Sequence, residues 1–304
     1  MDVYYKHSKY LMEKYKEKVY KLPINLPGSC PNRDGTKGFG GCIFCGEKAA
    51  GFEALPPDLP VKEQLLKNKE YIGKKYKAKK FIAYFQNYTN TYLPIEVFKK
   101  YINEAAIPGV VEIAISTRPD CLEDEYLSAL KELKEEKNVE ITVELGLQSA
   151  RDETLKIINR GHDVLTFING VYKVKEYGFR VVAHIIINLP WDDEKAVLDC
   201  ARLLNNLKVD GVKIHSLYIV KNTPLCRMYE NGEIKLISYG EFKSRVKKFL
   251  MALSPDIVVE RLFGRAPEEE VVFENYGSSW RKIHDEIVCE MIKEGSYQGK
   301  NVIL

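Results

Sequence analysis

Between residues 30 and 45 the chain reads Cys30-Pro31-Asn32-Arg33-Asp34-Gly35-Thr36-Lys37-Gly38-Phe39-Gly40-Gly41-Cys42-Ile43-Phe44-Cys45. No fourth cysteine lies near this stretch, so three thiols share one glycine-rich loop. Zinc in a structural site usually takes four tetrahedral ligands, whereas an iron–sulfur cluster can be held by three thiolates that leave one iron open to a small molecule. The stretch therefore predicts an iron–sulfur cluster that takes part in chemistry.

Around this loop, short apolar runs alternate with amphipathic, charge-rich stretches of helical length. The runs cover residues 24–26, 81–85, 110–115, 139–147, 181–189 and 212–220. Six strand–helix units of this kind predict an α/β fold with a parallel sheet and crossover helices. Residues 1–20 have helical spacing, and beyond the core we expect helices near 238–252 and 280–292 and a short strand near 257–262.

Polar residues lie at the ends of four of these predicted strands. The sets that share a face are Ser116 with Arg118, Glu144 with Gly146 and Gln148, His184 with Asn188, and Lys213 with His215. Because strand side chains alternate, a concave sheet would gather these sets into one cavity near its C-terminal edge. Six units are too few for a closed eight-stranded barrel, and the shared face favours a partial TIM barrel, (β/α)6, over a flat doubly wound sheet.

The length of 304 residues and a hydrophobic content of 45% suit one barrel-sized domain. We expect an N-terminal helical segment over residues 1–22, a core over 23–225 and a C-terminal extension over 226–304 that closes the barrel. Lys and Arg total 46 against 43 Asp and Glu, and the net charge of +3 neither requires nor excludes RNA as a partner.

The chain starts with charged residues, and no apolar run approaches the roughly 18 residues that a membrane span needs. These features predict a cytoplasmic protein without membrane contact. Cys121, Cys200, Cys226 and Cys289 show no paired spacing, so we interpret them as small apolar residues outside any disulfide framework.

The Cys-x11-Cys-x2-Cys spacing, with Phe44 before the last cysteine, resembles the cluster loop of radical S-adenosylmethionine (SAM) enzymes in an expanded form. It is most similar to the subgroup that contains the elongator catalytic subunit and the uncharacterised YhcC/YtqA-like proteins. The resemblance continues in Tyr84-Phe85-Gln86-Asn87-Tyr88-Thr89-Asn90-Thr91, Ser116-Thr117-Arg118-Pro119-Asp120, Glu144-Leu145-Gly146-Leu147-Gln148-Ser149, Asn159-Arg160-Gly161-His162 and Asn188-Leu189-Pro190.

This resemblance implies a [4Fe–4S] cluster on Cys30, Cys42 and Cys45, with SAM on the open iron. Around the methionine part of SAM it places Asn87 and Thr89 toward the amino group and Arg160 toward the carboxylate. Around the nucleoside part it places Phe44 near the adenine, with Gln148 and His184 toward the ribose. It places Ser116 at the third strand end and Glu144 in the same cavity as His184. Lys213 and His215 remain candidates for substrate contact or proton transfer, or for ordinary lumen residues.

The leading hypothesis is a radical SAM enzyme that abstracts hydrogen from a tRNA nucleoside or another substrate, with flavodoxin or ferredoxin as the one-electron reductant. Lysines at 74–80 would offer RNA a local basic run, and such a run is equally typical of a solvated helix end. One alternative is a zinc-stabilised RNA-binding barrel without catalysis, in which His7 or Cys121 completes the site. Another is a hydrolase with a metal on His184, His215 and Glu144.

Overall fold

The computed structural model describes residues 2–46, 54–264 and 266–304. Ten α-helices and nine strands lie within these residues. The strands are β1 (Val19–Ile24), β2 (Lys80–Phe85), β3 (Val110–Thr117), β4 (Glu140–Gln148), β5 (Arg180–Ile186), β6 (Gly211–His215), β7 (Ile219–Val220), β8 (Val258–Arg261) and β9 (Val271–Phe273). In the same residues, no helix combines the length and the apolar character that crossing a bilayer requires.

The helices surround the sheet or follow it. They are α1 (His7–Tyr15), α2 (Val61–Tyr76), α3 (Ile95–Ala105), α4 (Asp124–Lys137), α5 (Asp152–Ile157), α6 (Val164–Glu176), α7 (Glu194–Asn206), α8 (Pro224–Glu230), α9 (Tyr239–Ala252) and α10 (Trp280–Lys293). Several begin at a residue whose side-chain oxygen accepts a hydrogen bond from the backbone three residues on, which stabilises the first turn. These N-caps are Asp163, Asp193, Thr223, Ser238 and Ser279.

Seven of the described strands form one parallel sheet in the order β1-β2-β3-β4-β5-β6-β8. The sheet is curved into a half-barrel, which confirms the predicted partial TIM barrel. The first six strands are the predicted strand–helix units, and the seventh, β8, comes from the C-terminal extension near the short strand expected at 257–262. A separate antiparallel pair, β7 with β9, lies beyond the sixth unit.

Two details at the N-terminus differ from the sequence-based expectation. The first helix ends at Tyr15 instead of continuing to residue 20, since Lys16 adopts a left-handed backbone conformation with φ of 56°. The first strand runs from Val19 to Ile24, earlier than the predicted run at 24–26. Lumen-facing residues such as Lys21 alternate with its apolar residues, so an apolar-run criterion found only the end of this strand, at Ile24.

Side chains alternate between the two faces of the sheet. The outer face packs against the helices in one large apolar cluster that includes Leu22, Phe85, Ile113, Val143 and Val181. On the inner face, Ile82 and Ala114 pack with Leu11 of α1 toward the N-terminal end of the strands. Helix α1 therefore fills that end of the barrel, and the polar lumen opens toward the C-terminal edge.

Candidate active site

The cysteine loop follows β1 directly and lies at the C-terminal edge of the sheet. Its backbone reverses through Gly35, Gly40 and Gly41, whose φ angles are 93°, 75° and 80°. Side chains with a Cβ are strained in this left-handed region, so glycine suits these positions. The loop is closed by Gly41 N–H donating to the Asn32 carbonyl at 2.8 Å.

Two arginines donate to the sulfurs of this loop. Arg33 Nη2 lies 3.2 Å from Cys45 Sγ, and Arg160 Nη1 lies 3.6 Å from Cys42 Sγ. Burial raises the pKa of the Cys45 thiol, while the Arg33 guanidinium acts in the opposite direction. Cationic donors of this kind stabilise thiolates, the form in which cysteine binds iron.

The side chains of the described residues that could bind metal indicate which group the three thiols of the loop would hold. Among them, no three His, Cys, Asp or Glu side chains converge closely enough for one metal ion. Three thiolates are a ligand set that can hold a [4Fe–4S] cluster and leave one iron open. The donor set of three thiols with two adjacent guanidiniums therefore fits a [4Fe–4S] cluster.

Asn32 links this loop to the loop after α5, and sequence reasoning missed it. Its side chain is fully buried, and its Nδ2 donates to the Asn159 carbonyl at 2.6 Å. A Cβ on Gly38 or Gly161 would lie 2.4 Å or 2.6 Å from Asn32 Oδ1. Both glycines are therefore needed where they are, and a lone asparagine in a loop gave no signal of this role.

Gln148 and Arg160, paired by the resemblance, do come together at the end of β4. Arg160 Nη2 donates to the Gly146 carbonyl at 3.1 Å. A Cβ on Gly146 would lie 2.5 Å from Arg160 Nη2 and 2.7 Å from Gln148 Nε2, so the glycine makes room for both side chains. Gln148 itself has a φ of 74°, a conformation that costs energy and is found at functional sites.

Several buried polar atoms at the same edge have no hydrogen-bond partner in the described part of the chain. They are Asn32 Oδ1, Asn87 Oδ1, Thr89 Oγ1, Arg160 Nε and Ser216 Oγ. Such atoms are costly unless a ligand or water satisfies them, so they fit a site for a polar cofactor. Asn87 and Thr89 were expected here, and Phe44 is half-buried beside the apolar cluster of Ile158 and Leu217. Ser216 was missed, since the sequence offers no motif around it.

Ser116, Glu144 and His184 lie deeper, in the lumen, where they join one hydrogen-bond network. The Glu144 carboxylate is buried and accepts hydrogen bonds from five side chains. These are Lys21 Nζ at 2.8 Å, Tyr84 OH at 3.0 Å, Ser116 Oγ at 3.2 Å, His184 Nε2 at 2.7 Å, and Lys213 Nζ. Burial by itself would raise the pKa of Glu144, but Lys21 and Lys213 outweigh it and hold that pKa well below its usual range.

The two lumen histidines form a chain with a fixed direction. Arg261 Nη2 lies 3.2 Å from His215 Nδ1, and since an arginine only donates, this nitrogen accepts. His215 Nε2–H then donates to His184 Nδ1 at 3.3 Å, and His184 Nε2–H donates to Glu144. Both ring nitrogens of His184 are thus engaged within the protein.

Burial sets the charge of the residues predicted to be catalytic. It lowers the pKa of Lys213 to about 7, with Glu144 opposing the shift. Burial and then Lys213 lower the pKa of His184 to about 4. Burial and then Arg261 bring the pKa of His215 well below its ordinary value, so both imidazoles are neutral at neutral pH.

Below this network lies a second buried carboxylate that the sequence did not indicate. Glu260 is bonded to Lys21 Nζ at 2.9 Å and to Arg180 Nη1 at 2.7 Å, with His7 Nδ1 at 3.3 Å. Lys21 therefore bridges Glu144 and Glu260. These residues are spread over five elements, and only the curvature of the sheet brings them together.

Two family models match the chain. The radical SAM superfamily model matches residues 27–204, and the radical SAM C-terminal domain model matches residues 209–293. The uncharacterised protein YtqA of Bacillus subtilis is 37% identical over 300 residues, which cover 98% of this chain and 92% of that one. A tRNA uridine(34) acetyltransferase of Methanocaldococcus infernus is 30% identical over 137 residues, 44% of this chain and 25% of the relative.

Among solved structures, the fold is similar to that of Methanocaldococcus infernus Elp3 lacking its N-terminal residues. The TM-score is 0.71 at 19% sequence identity, and the match covers 92% of this chain and 64% of that one. At this identity the likeness concerns the fold alone. It includes the barrel whose C-terminal edge carries the cysteine loop and the buried polar atoms described above.

Proposed function

Since the chain belongs to the radical SAM superfamily, we propose that it cleaves SAM reductively and abstracts hydrogen from a tRNA nucleoside. Members of this superfamily use a [4Fe–4S] cluster and SAM. When bound, this pair supplies a one-electron cleavage of the sulfonium that yields a carbon radical able to remove hydrogen. The protein has to bind the cluster and SAM, orient the substrate beside them and exclude water from the site.

The contact between Arg160 and Cys42 carries the assignment of the cofactor site. Arg160 lies in the loop after α5, and its guanidinium reaches Cys42 Sγ at 3.6 Å and the Gly146 carbonyl of β4 at 3.1 Å. A molecule held by this side chain and by the cysteine loop would therefore lie across the top of the barrel. Cys30, Cys42 and Cys45 would hold the cluster, and Arg160, with its unpartnered Nε, suits a carboxylate by charge and planar geometry. Asn87 and Thr89 at the end of β2 supply further unpartnered oxygens.

The lumen below this site would receive the substrate. Lys213 contacts Glu144 and donates to Tyr84 OH at 2.9 Å, while Lys21 already compensates Glu144 from the other side. Glu144 would therefore keep a cationic partner if Lys213 lost its proton. This supports Lys213 as a proton-transfer group near the substrate, with His215 beside it.

For His184 and Glu144 we propose a role other than direct contact with SAM. Because both nitrogens of His184 are used by Glu144 and His215, the imidazole has no free polar atom for a ribose hydroxyl. We propose that Glu144, His184 and Ser116 hold the lumen in shape, and that Gln148 with Ser216 forms the polar contacts to the nucleoside part of SAM.

The tRNA proposal draws on the partial relationship to a tRNA uridine(34) acetyltransferase, and the cysteine-loop edge offers suitable groups. Phe39, in the cysteine loop, is 80% exposed, and Lys156 on α5 is exposed on the same edge. An exposed aromatic ring stacks on a base, and a lysine contacts phosphate. The lysines at 74–80 precede β2 or begin it and thus lie at the opposite edge, where Lys74 pairs with Glu70 and Lys80 with Glu17.

The decisive experiment is anaerobic incubation of the reconstituted protein with SAM, a reductant and unmodified tRNA, followed by mass spectrometry of nucleosides and of 5′-deoxyadenosine. Dithionite and then flavodoxin or ferredoxin would serve as the electron source. Formation of 5′-deoxyadenosine together with a new nucleoside mass supports the proposal, and the Cys42→Ala protein is the matched control. A colourless, zinc-containing preparation that leaves SAM intact would contradict it.

A further inference from the structure

Arg261 stands at the mouth of the barrel as the last residue of β8. It is exposed, it is the register partner of Lys213 on β6, and its Nη2 donates to His215 Nδ1. No carboxylate of residues 2–46, 54–264 or 266–304 lies within ion-pair distance of it. Its guanidinium thus has donors left over and faces the lumen that the substrate would enter.

Glu144 and Glu260, the two carboxylates at the centre of the lumen, pair with cations other than Arg261. Lys21 and Arg180 pair with Glu260, and Lys21 and Lys213 pair with Glu144. Among the described residues, Arg261 therefore carries a charge that no carboxylate compensates.

The neighbouring histidines and SAM do not supply an anionic partner for Arg261 either. The lumen histidines are neutral, so they neither add to the charge nor offset it. SAM carries a sulfonium, an ammonium and one carboxylate, and its net charge is positive. Arg261 thus keeps free donors and has no anionic partner among these groups, so it is available to an anion on another molecule.

We propose that Arg261 binds an anionic group of the substrate, a carboxylate or a phosphate, at the mouth of the barrel. The inference rests on the proposed function in taking the lumen as the substrate site. The planar guanidinium fork matches both anions in a bidentate geometry. In a tRNA substrate the anion would be a carboxylate on the modified base or a backbone phosphate next to it.

Site-resolved chemical modification tests this on the native, cluster-loaded protein. Phenylglyoxal, which reacts with accessible arginines, is added in an anion-poor buffer with and without sodium acetate or methyl phosphate, and modification of each arginine is followed by mass spectrometry. Arg202 on α7, which is exposed and paired with Asp199, is the internal control. We expect the anion to slow modification at Arg261 by about tenfold relative to Arg202, the factor that one charge-assisted hydrogen bond can supply.

The two probes separate the sources of the anion. Protection by acetate alone assigns a carboxylate, protection by methyl phosphate alone assigns a phosphate, and both outcomes support the proposal. If neither anion slows modification of Arg261 relative to that of Arg202, the proposal is overturned. Formation of 5′-deoxyadenosine in the same preparation reports on the proposed function separately, so an unprotected Arg261 in an enzyme that cleaves SAM rejects this inference alone.

Discussion

Arg160 donates from Nη1 to the sulfur of Cys42 at 3.6 Å, across more than a hundred residues of sequence. The same guanidinium donates from Nη2 to the carbonyl of Gly146 at 3.1 Å. One side chain thus touches both the loop that would hold the cluster and the strand end that would hold SAM. Replacing Arg160 should therefore weaken cofactor binding in a protein that still folds.

Replacing Arg160 with alanine should weaken SAM binding by roughly 2–5 kcal/mol, because the carboxylate of SAM would lose a buried charged partner. Isothermal titration of the reconstituted protein measures this loss. Arg151→Ala is the matched control, since Arg151 lies near the end of the same strand but pairs with Asp193 at the surface. Equal affinities of the Arg160 variant and wild type would remove Arg160 from the site.

Alanine at Cys30, Cys42 or Cys45 should abolish SAM cleavage and lower the bound iron, because a cluster that must keep one iron open has no spare thiolate among them. Iron content and 5′-deoxyadenosine formation are the measurements. Alanine at Cys121, Cys200, Cys226 or Cys289 should leave both nearly unchanged. Full activity of Cys42→Ala would end the cluster assignment.

The cysteine spacing and the strand–helix alternation were sufficient to predict the family and the half-barrel. Strand-end parity also identified Glu144, His184, Lys213 and His215 as residues of one cavity, because alternation along a strand is a local property. Which side chains meet across the lumen depends on register and curvature, so Lys21 and Glu260 were not found. The register shift between Gly146 and Gln148 likewise has no local signature.

Replacing Glu144 with glutamine should destabilise the protein by about 3–5 kcal/mol, since Lys21 and Lys213 would lose the charge that compensates them. Urea unfolding measures this change. Adding Lys213→Met to the variant should recover part of the loss, because one of the uncompensated cations is then absent. Glu290→Gln, at a partly exposed ion pair with Lys243, is the control and should have a small effect.

Lys213 should make the stability depend on pH between about 7 and 10. Burial lowers its pKa from 10.5 to about 7, so in this window the unfolded chain binds a proton that the folded protein does not. The free energy of unfolding should therefore rise with pH, by at most about 1.4 kcal/mol per pH unit for one proton. Lys21, whose pKa is raised, is protonated in both states there and contributes no slope.

Tyrosines and cysteines also titrate in this pH range, but they are present in both wild type and Lys213→Met. The difference between the two proteins therefore isolates the contribution of Lys213. Urea unfolding at several pH values should show a steeper rise for wild type. Lys248→Met, which removes an exposed lysine paired with Glu194, should keep the wild-type slope. Parallel curves for wild type and Lys213→Met would show that Lys213 remains charged in the folded protein.

Binding of tRNA should depend on salt through the edge of the barrel that carries the cysteine loop. If Lys156 contacts a phosphate, Lys156→Glu should lower the slope of log affinity against log salt by about one, because each neutralised phosphate releases counter-ions. Lys74→Glu is the matched control, since Lys74 lies at the opposite edge and pairs with Glu70. A filter-binding titration between low and physiological salt measures both. If the slope falls with Lys74→Glu and not with Lys156→Glu, the RNA binds at the edge opposite to the cysteine loop, which contradicts the proposed chemistry. If binding does not depend on salt, tRNA is rejected as the substrate, while the proposal of SAM cleavage is unaffected.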